Sequence, residues 1–362
     1  MNRLPRRITV ALQGGGSLGA FSWGVLDRLL DVPGLEITAA SGASAGALNA
    51  AMLVQGLAKG GPTEAQHALE ILWRRVAVAS GSLDFAGGDL LQAVLTPILR
   101  AVRRSGPEFT GISLNPLGLN PLRSILDGLL DPGAFGRPGA PMLVVAATRA
   151  RTGEPRLFCD GEVTADVLLA SACLPHLFPA VDIGGEPYWD GGYASNPPVR
   201  ALIEAGAPSD VVIIRTTPTE RSELPNGTAA VRERSTELAF GAALRQELRS
   251  IAHAQRLLSE HLEEELPPSS PLARLQSARL HMIGADTEFR ALQAANSLDT
   301  SWSFLTRMRD LGQRTADDWL EQNLSSLGVA STLDLSGCEL PLIARATGVG
   351  VLGEAADHRI PA

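Results

Sequence analysis

The sequence predicts an α/β fold with a mostly parallel central sheet, and three observations carry that prediction. Short β-branched runs end abruptly in glycine-rich or small-residue turns. Helical periodicity resumes within a few residues of each turn. Further buried-strand patterns then recur downstream, at PMLVVAATRA (141–150) and DVVIIRTT (210–217). Alternation of strand, turn and helix is the signature of a parallel sheet covered on both faces.

Residues 7–13, RITVALQ, alternate and read as the first strand. After the glycines, AFSWGVLDRLLDVPG sets Phe21, Val25, Leu26, Leu29 and Leu30 at helical spacing and closes at Pro33-Gly34. LEITAAS (35–41) is a second strand, and GASAGALNAAMLVQGLAKGG turns at once into an Ala-rich helix. Residues 86–140 break the pattern as an insert. Within it, DLLQAVLTPILRAVRR lines up Leu90, Leu91, Val94, Leu95, Ile98, Leu99 and Val102 beside Arg100, Arg103 and Arg104. That stripe predicts an amphipathic helix, kinked or restarted at Pro97: a packed helix in the plainest reading, a lid or lipid-touching surface in the alternative. PTERSELPNGTAAVRER (218–234) is expected to be a polar loop, followed by helices over 235–266 and 293–320. The second of these offers Trp302, Phe304, Leu305, Met308, Leu311 and Trp319 for packing, and the final forty residues are weakly patterned.

Bulk properties narrow the classes. A chain of 362 residues with 45% hydrophobic and 19% charged residues is globular, and no apolar run reaches the length of a membrane span. MNRLPRRITVALQ lacks the apolar core and cleavage site of a signal peptide, so the expected location is cytoplasmic, with attachment at a membrane surface as the alternative. A net charge of −8 and the absence of a basic stripe argue against nucleic acid as a partner. Cys159, Cys173 and Cys338 are too widely spaced for a metal site or a disulfide framework and are expected to be reduced core thiols. Lys59 is the single lysine among 31 basic residues, which fits a GC-rich bacterial genome and says nothing of function.

Two glycine motifs compete for the functional reading. Gly14, Gly16 and Gly19 satisfy G-x-G-x-x-G, the spacing of a dinucleotide cradle. A dinucleotide fold also wants an acidic residue about 20 residues further on, at the end of the second strand. Glu36 has the separation but stands at the strand's start. The strand's end is instead Gly42-Ala43-Ser44-Ala45-Gly46, a G-x-S-x-G turn in which no bulky neighbour crowds the serine. Two adjacent parallel strands ending in a glycine loop and a serine turn bring backbone N–H groups to face a hydroxyl, as acyl transfer requires. None of the six histidines lies in a context that marks a triad; His176, in SACLPHLFPAV, has the most distinctive surroundings. Asp190, in PYWDGGYASNPP, enters a Gly-Gly turn that permits close backbone approach; a turn-capping Asp is the plainer reading.

Together these residues resemble the patatin-like phospholipases. Gly14-Gly15-Gly16-Ser17-Leu18-Gly19 looks like that family's oxyanion loop, Gly42-Ala43-Ser44-Ala45-Gly46 its nucleophile turn, and Asp190-Gly191-Gly192 its aspartate motif. Ser171 to Pro179 is similar to its intervening serine–proline segment, and the order and spacing fit over about 8–215. The resemblance implies a three-layer α/β/α sandwich and a Ser44–Asp190 dyad without histidine. The oxyanion hole would be lined by Gly14, Gly15, Gly16 and Ala45, with the N–H groups of Gly15, Gly16 and Ala45 as donors. No metal or cofactor is implied. Residues 1–285 would form the acyl-hydrolase domain. Residues 286–362 would be a helical extension packed on it, like that of some bacterial members. Many members carry Arg or Lys in the glycine loop where this chain has Leu18. The expected function is hydrolysis of lipid carboxylic esters, phospholipid or lysophospholipid. A thioesterase or polyester depolymerase with the same dyad, a nucleotide-binding oxidoreductase, and an inactive lipid-binding protein are the alternatives.

Overall fold

The computed structural model describes residues 6–79, 120–221, 224–261, 266–292 and 298–335. The amphipathic run 89–104, Cys338 and His358 lie outside them.

Eight strands form one mixed sheet: β1 (Arg6–Leu12), β2 (Leu35–Ala43), β3 (Met142–Arg149), β4 (Pro155–Cys159), β5 (Val181–Ile183), β6 (Glu186–Asp190), β7 (Asp210–Ile214) and β8 (Arg279–Ile283). The spatial order is β5-β6-β3-β2-β1-β7-β8, with β4 also paired to β3. β3, β2, β1, β7 and β8 run parallel, whereas β4 and β6 pair antiparallel to β3 and β5 antiparallel to β6. The predicted mostly parallel sheet is therefore its centre and one flank, and an antiparallel flank completes it.

Alternation along the strands builds two cores. Ile8, Val10 and Leu12 of β1 and Val212 and Ile214 of β7 face one side. Ala11, Val211 and Ile213 face the other. Helices α1 (Gly19–Leu30), α2 (Ala45–Gly60), α3 (Pro62–Ala79), α4 (Pro121–Leu126) and α5 (Ala165–Ser171) cover the first side. Helices α6 (Val199–Ala205), α7 (Thr228–His261) and α8 (Pro271–Ser277) cover the second, through Leu202, Ile203, Leu244, Leu248, Ile251 and Leu275. This is the three-layer sandwich.

Several expectations change. Helix α7 begins at Thr228, inside the segment expected to be a polar loop. After α9 (Asp286–Ala291), the last long helix, α10, spans Trp302–Asn323 instead of 293–320. Ser301 fixes its start by accepting the Phe304 N–H at 3.3 Å. The visible end of the insert is part of the core: Ile125, Leu126 and Phe135 are buried there. Cys173 is buried as expected, but Cys159, the last residue of the flanking strand β4, is exposed.

Helix α10 crosses α1 at close range. A Cβ on Gly24 would stand 1.9 Å from the Arg309 carbonyl oxygen. Both atoms belong to backbone, so a side chain there must push the helices apart. The variant Gly24→Val is expected to lose about 3 kcal/mol, read as a lower urea midpoint, because overpacking that backbone cannot absorb costs of that order.

Candidate active site

Strand register assembles the site before any side chain is considered. Leu12 pairs with Gly42, Ala43 with Ala146, and Ala147 with Asp190. The ends of β1, β2 and β6 therefore lie at one level of the sheet, where open α/β folds collect their ligands. The residue after Ala43 and the last residue of β6 are Ser44 and Asp190.

Ser44 occupies a sharp strand-to-helix turn at φ 55° and ψ −128°, a left-handed conformation that costs a non-glycine residue about 1–3 kcal/mol. The turn tolerates no added bulk: a Cβ on Gly46 would lie 2.1 Å from the Leu12 carbonyl oxygen. The Ser44 N–H donates to Ser171 Oγ at 3.0 Å. Its hydroxyl donates to Asp190 Oδ2 at 2.8 Å, and its residue is 7% exposed.

Asp190 is fully buried. Its Oδ1 accepts the Gly192 N–H at 2.8 Å, its N–H donates to the Cys173 carbonyl at 2.8 Å, and Thr148 Oγ1 donates to its carbonyl at 2.8 Å. Desolvation raises its pKa to about 7, against the opposing hydrogen bonds from Gly192 and Ser44. The neighbouring Cys173 thiol is pushed up to about 12, by burial first and by the Asp190 charge second. It stays protonated and donates towards the Pro179 carbonyl at 3.0 Å.

The glycine loop lies directly on the serine turn. A Cβ on Gly14 would meet Ser44 Cβ at 2.7 Å and the Ala43 carbonyl oxygen at 2.5 Å. Gly14, expected to line the oxyanion hole without being a donor, has its N–H engaged by Asn196 Oδ1 at 2.7 Å, a bond that holds the loop beside the serine turn. Gly15 and Gly16 open the short 3-10 turn Gly16–Leu18, and Ala45 opens α2. Amides at the start of a helical turn have no partner within that turn. Leu18 is buried among the core residues on the α1 side and does not line the pocket.

A cavity of about 240 Å³ opens beside Ser44. Leu48, Leu72, Trp73, Val76, Leu174 and Phe178 form much of its wall, and every described residue lining it is uncharged. No histidine is among them. His281 is buried on β8, between Asp210 and Thr332.

Sequence reasoning missed the residues that hold the loops. Gln13 Oε1 accepts from the N–H groups of Thr216 (3.0 Å) and Thr217 (3.2 Å), tying the end of β1 to the segment after β7. Asn196 and Ser171 were visible only as members of quoted motifs; a buried amide beside Pro-Pro and a serine at a helix end carry no local signal of what they bond. Among the described residues no helix is long and apolar enough to cross a membrane, and no cluster of three or more His, Cys, Asp and Glu could hold a metal.

No curated protein matches the chain. Among solved structures, VipD from Legionella pneumophila aligns over 86% of this chain and 67% of its own, at 15% identity and a TM-score of 0.33. The family profile described as patatin-like phospholipase matches residues 10–203, more than half of the chain. That span contains the glycine loop, the Ser44 turn and the Asp190 loop, and the chain belongs to the patatin-like phospholipase family.

Proposed function

We propose that the protein is a serine hydrolase of lipid carboxylic esters, with Ser44 as nucleophile and Asp190 as general base. The observation that carries this reading is the buried 2.8 Å hydrogen bond from Ser44 to Asp190 at the mouth of an apolar pocket. In the forward step Ser44 Oγ attacks the acyl carbonyl while its proton passes to Asp190. The carbonyl oxygen becomes an oxyanion facing the N–H groups of Gly15, Gly16 and Ala45, each donor contributing about 10²–10³ in rate. Protonated Asp190 then gives its proton to the departing alkoxide, leaving an acyl-Ser44 ester. A water entering the vacated space loses a proton to Asp190 and attacks that ester. Collapse returns the proton to Ser44 and releases the fatty acid. A carboxylate with an ordinary pKa is a poor base for a serine hydroxyl; one near 7 is matched to neutral pH.

The apolar wall suits an acyl chain, and the dyad leaves the leaving group open to phospholipid, lysophospholipid, thioester or polyester. The nucleotide-cradle alternative is less favoured, because a Cβ on Gly14 would meet Ser44 and Glu36 sits at the beginning of β2. A panel of phosphatidylcholine vesicles, lysophosphatidylcholine, acyl-CoA, polyhydroxybutyrate and p-nitrophenyl esters tests the proposal. Free acid release from at least one lipid ester is the expected result, and inertness toward all of them would count against it. The pocket makes a further prediction. The variant Val76→Trp should lower kcat/KM for the p-nitrophenyl palmitate ester about tenfold or more while sparing the butyrate ester, since lost apolar contact discriminates by that order.

A further inference from the structure

Asn196 is no member of the proposed dyad, yet it holds the loop on which the reaction depends. Its Oδ1 accepts the Gly14 N–H at 2.7 Å, and its Nδ2 reaches back to the Gly14 carbonyl at 3.4 Å. Thr216 Oγ1 donates to the same carbonyl at 3.2 Å. The Gly14 peptide is thus gripped at both ends, one residue before the proposed oxyanion donors. Gly14 lies so close to the serine turn that an added Cβ would meet Ser44 Cβ at 2.7 Å, so a slip of Gly14 moves the donors relative to the nucleophile.

Asn196 is itself fully buried, and its neighbours along the chain are tied down on both sides. Ser195 Oγ donates to Glu247 Oε1 at 3.1 Å, and the Arg200 N–H donates to Glu247 Oε2 at 3.1 Å. Ser41 Oγ of β2 donates to the Pro198 carbonyl at 3.0 Å. The segment from Asp190 to Asn196 therefore carries the base at one end and the grip on the glycine loop at the other.

We infer that Asn196 is a positioning residue for the oxyanion hole, setting the Gly15 and Gly16 amides against Ser44 through Gly14. The inference rests on the proposed Ser44–Asp190 chemistry. Donors must stand about 2.7–3.1 Å from the oxyanion, and a misplacement of about 1 Å costs on the order of 10²-fold in rate. Because the carbonyl becomes an oxyanion only in the transition state, loosening the loop acts on kcat and leaves KM nearly unchanged.

The test compares Asn196→Ala and Asn196→Asp with p-nitrophenyl butyrate and with an alkyl trifluoromethyl ketone, whose hydrated or serine-bound oxygen occupies the hole. Asn196→Ala is expected to lower kcat about 10–100-fold at a KM within about twofold, and to weaken the ketone by the same factor as kcat/KM. Asn196→Asp keeps the acceptor for the Gly14 N–H and is expected to recover more than half of that loss on a logarithmic scale. An Asn196→Ala enzyme with wild-type kcat overturns the inference, as does ketone affinity that does not follow kcat/KM. If Asn196→Ala does not fold, Asn196→Asp decides alone: activity within about tenfold of wild type with parallel ketone affinity supports the inference, and ketone affinity unchanged while kcat falls overturns it. Ser44→Ala distinguishes the two levels. Turnover surviving in Ser44→Ala defeats the dyad itself, whereas turnover lost there but intact in Asn196→Ala defeats only the positioning role.

Discussion

Replacing Ser44 with Ala is expected to lower kcat/KM for p-nitrophenyl butyrate by about 10⁴-fold or more, leaving what binding and the proposed oxyanion donors sustain by themselves. The loss is large because the remaining members cannot act without the nucleophile. Asp190 remains, fully buried behind the turn, but without the serine hydroxyl no acyl-enzyme can form. The fold is retained: the turn at Ser44 is held by backbone contacts of Gly42, Ser44 and Gly46, none of which needs the hydroxyl. Removing that hydroxyl also takes away a hydrogen bond that favours the ionised carboxylate, so the Asp190 pKa rises further in this variant. A folded Ser44→Ala protein with near wild-type turnover, measured against a vector-control preparation, would remove the basis for the proposed function.

Replacing Asp190 with Asn has the second large effect, and it separates activity from stability. Turnover is expected to fall by about 10³-fold or more, because an amide cannot take the serine proton as the proposed base does. The amide keeps an oxygen to accept the Gly192 N–H, so the loop is preserved. Stability moves the other way. In the folded state Asp190 has its pKa raised from 3.8 to about 7, so the native protein binds more protons than the unfolded chain between those values. Stability from this group is complete below about pH 4 and is lost as pH rises through 7. Asn carries no such penalty, and Asp190→Asn should melt higher than wild type at pH 8, with the two converging near pH 4. The same shift sets the pH profile of the active enzyme: kcat/KM should fall about tenfold per pH unit below an apparent pKa near 7. Equal melting temperatures at pH 8, or an acid limb near 4, would mean that Asp190 is not the desolvated base described here.

The parts of the site that were legible in the sequence are those whose chemistry forces a local pattern. A serine on a strained turn needs small neighbours, and Gly42 to Gly46 supply them in sequence. Strands β3 and β7 were readable because burial on both faces demands continuous apolar runs, and β1 through its alternating β-branched residues. The antiparallel flank was harder, since strands of three to five residues carry little periodicity. Even so, Gly184-Gly185 between Ile183 and Glu186 is a two-residue hairpin turn with both φ angles positive, a signal present in the sequence and not used. The polar run 218–234 misled because its charges read as a loop, while from Thr228 onward they belong to the start of α7. Asn196, Gln13 and Ser171 were illegible in their roles for a different reason. Each acts through a partner more than 120 residues away, and nothing local to a buried amide or hydroxyl names that partner.

The central claim is that one serine, activated by one buried carboxylate, does the chemistry. Its most direct test is the rate of covalent labelling by an alkyl fluorophosphonate as a function of pH, with peptide mapping of the adduct. The reaction forms an Oγ–phosphorus bond, expels fluoride and sends the serine proton to the base, and therefore needs both residues. A single adduct is expected on the peptide containing Ser44, with a rate that rises with pH to a plateau with its midpoint near 7 and falls about 10³-fold in Asp190→Asn. An adduct on any other residue, or labelling of Ser44 in Asp190→Asn at the wild-type rate, would contradict it.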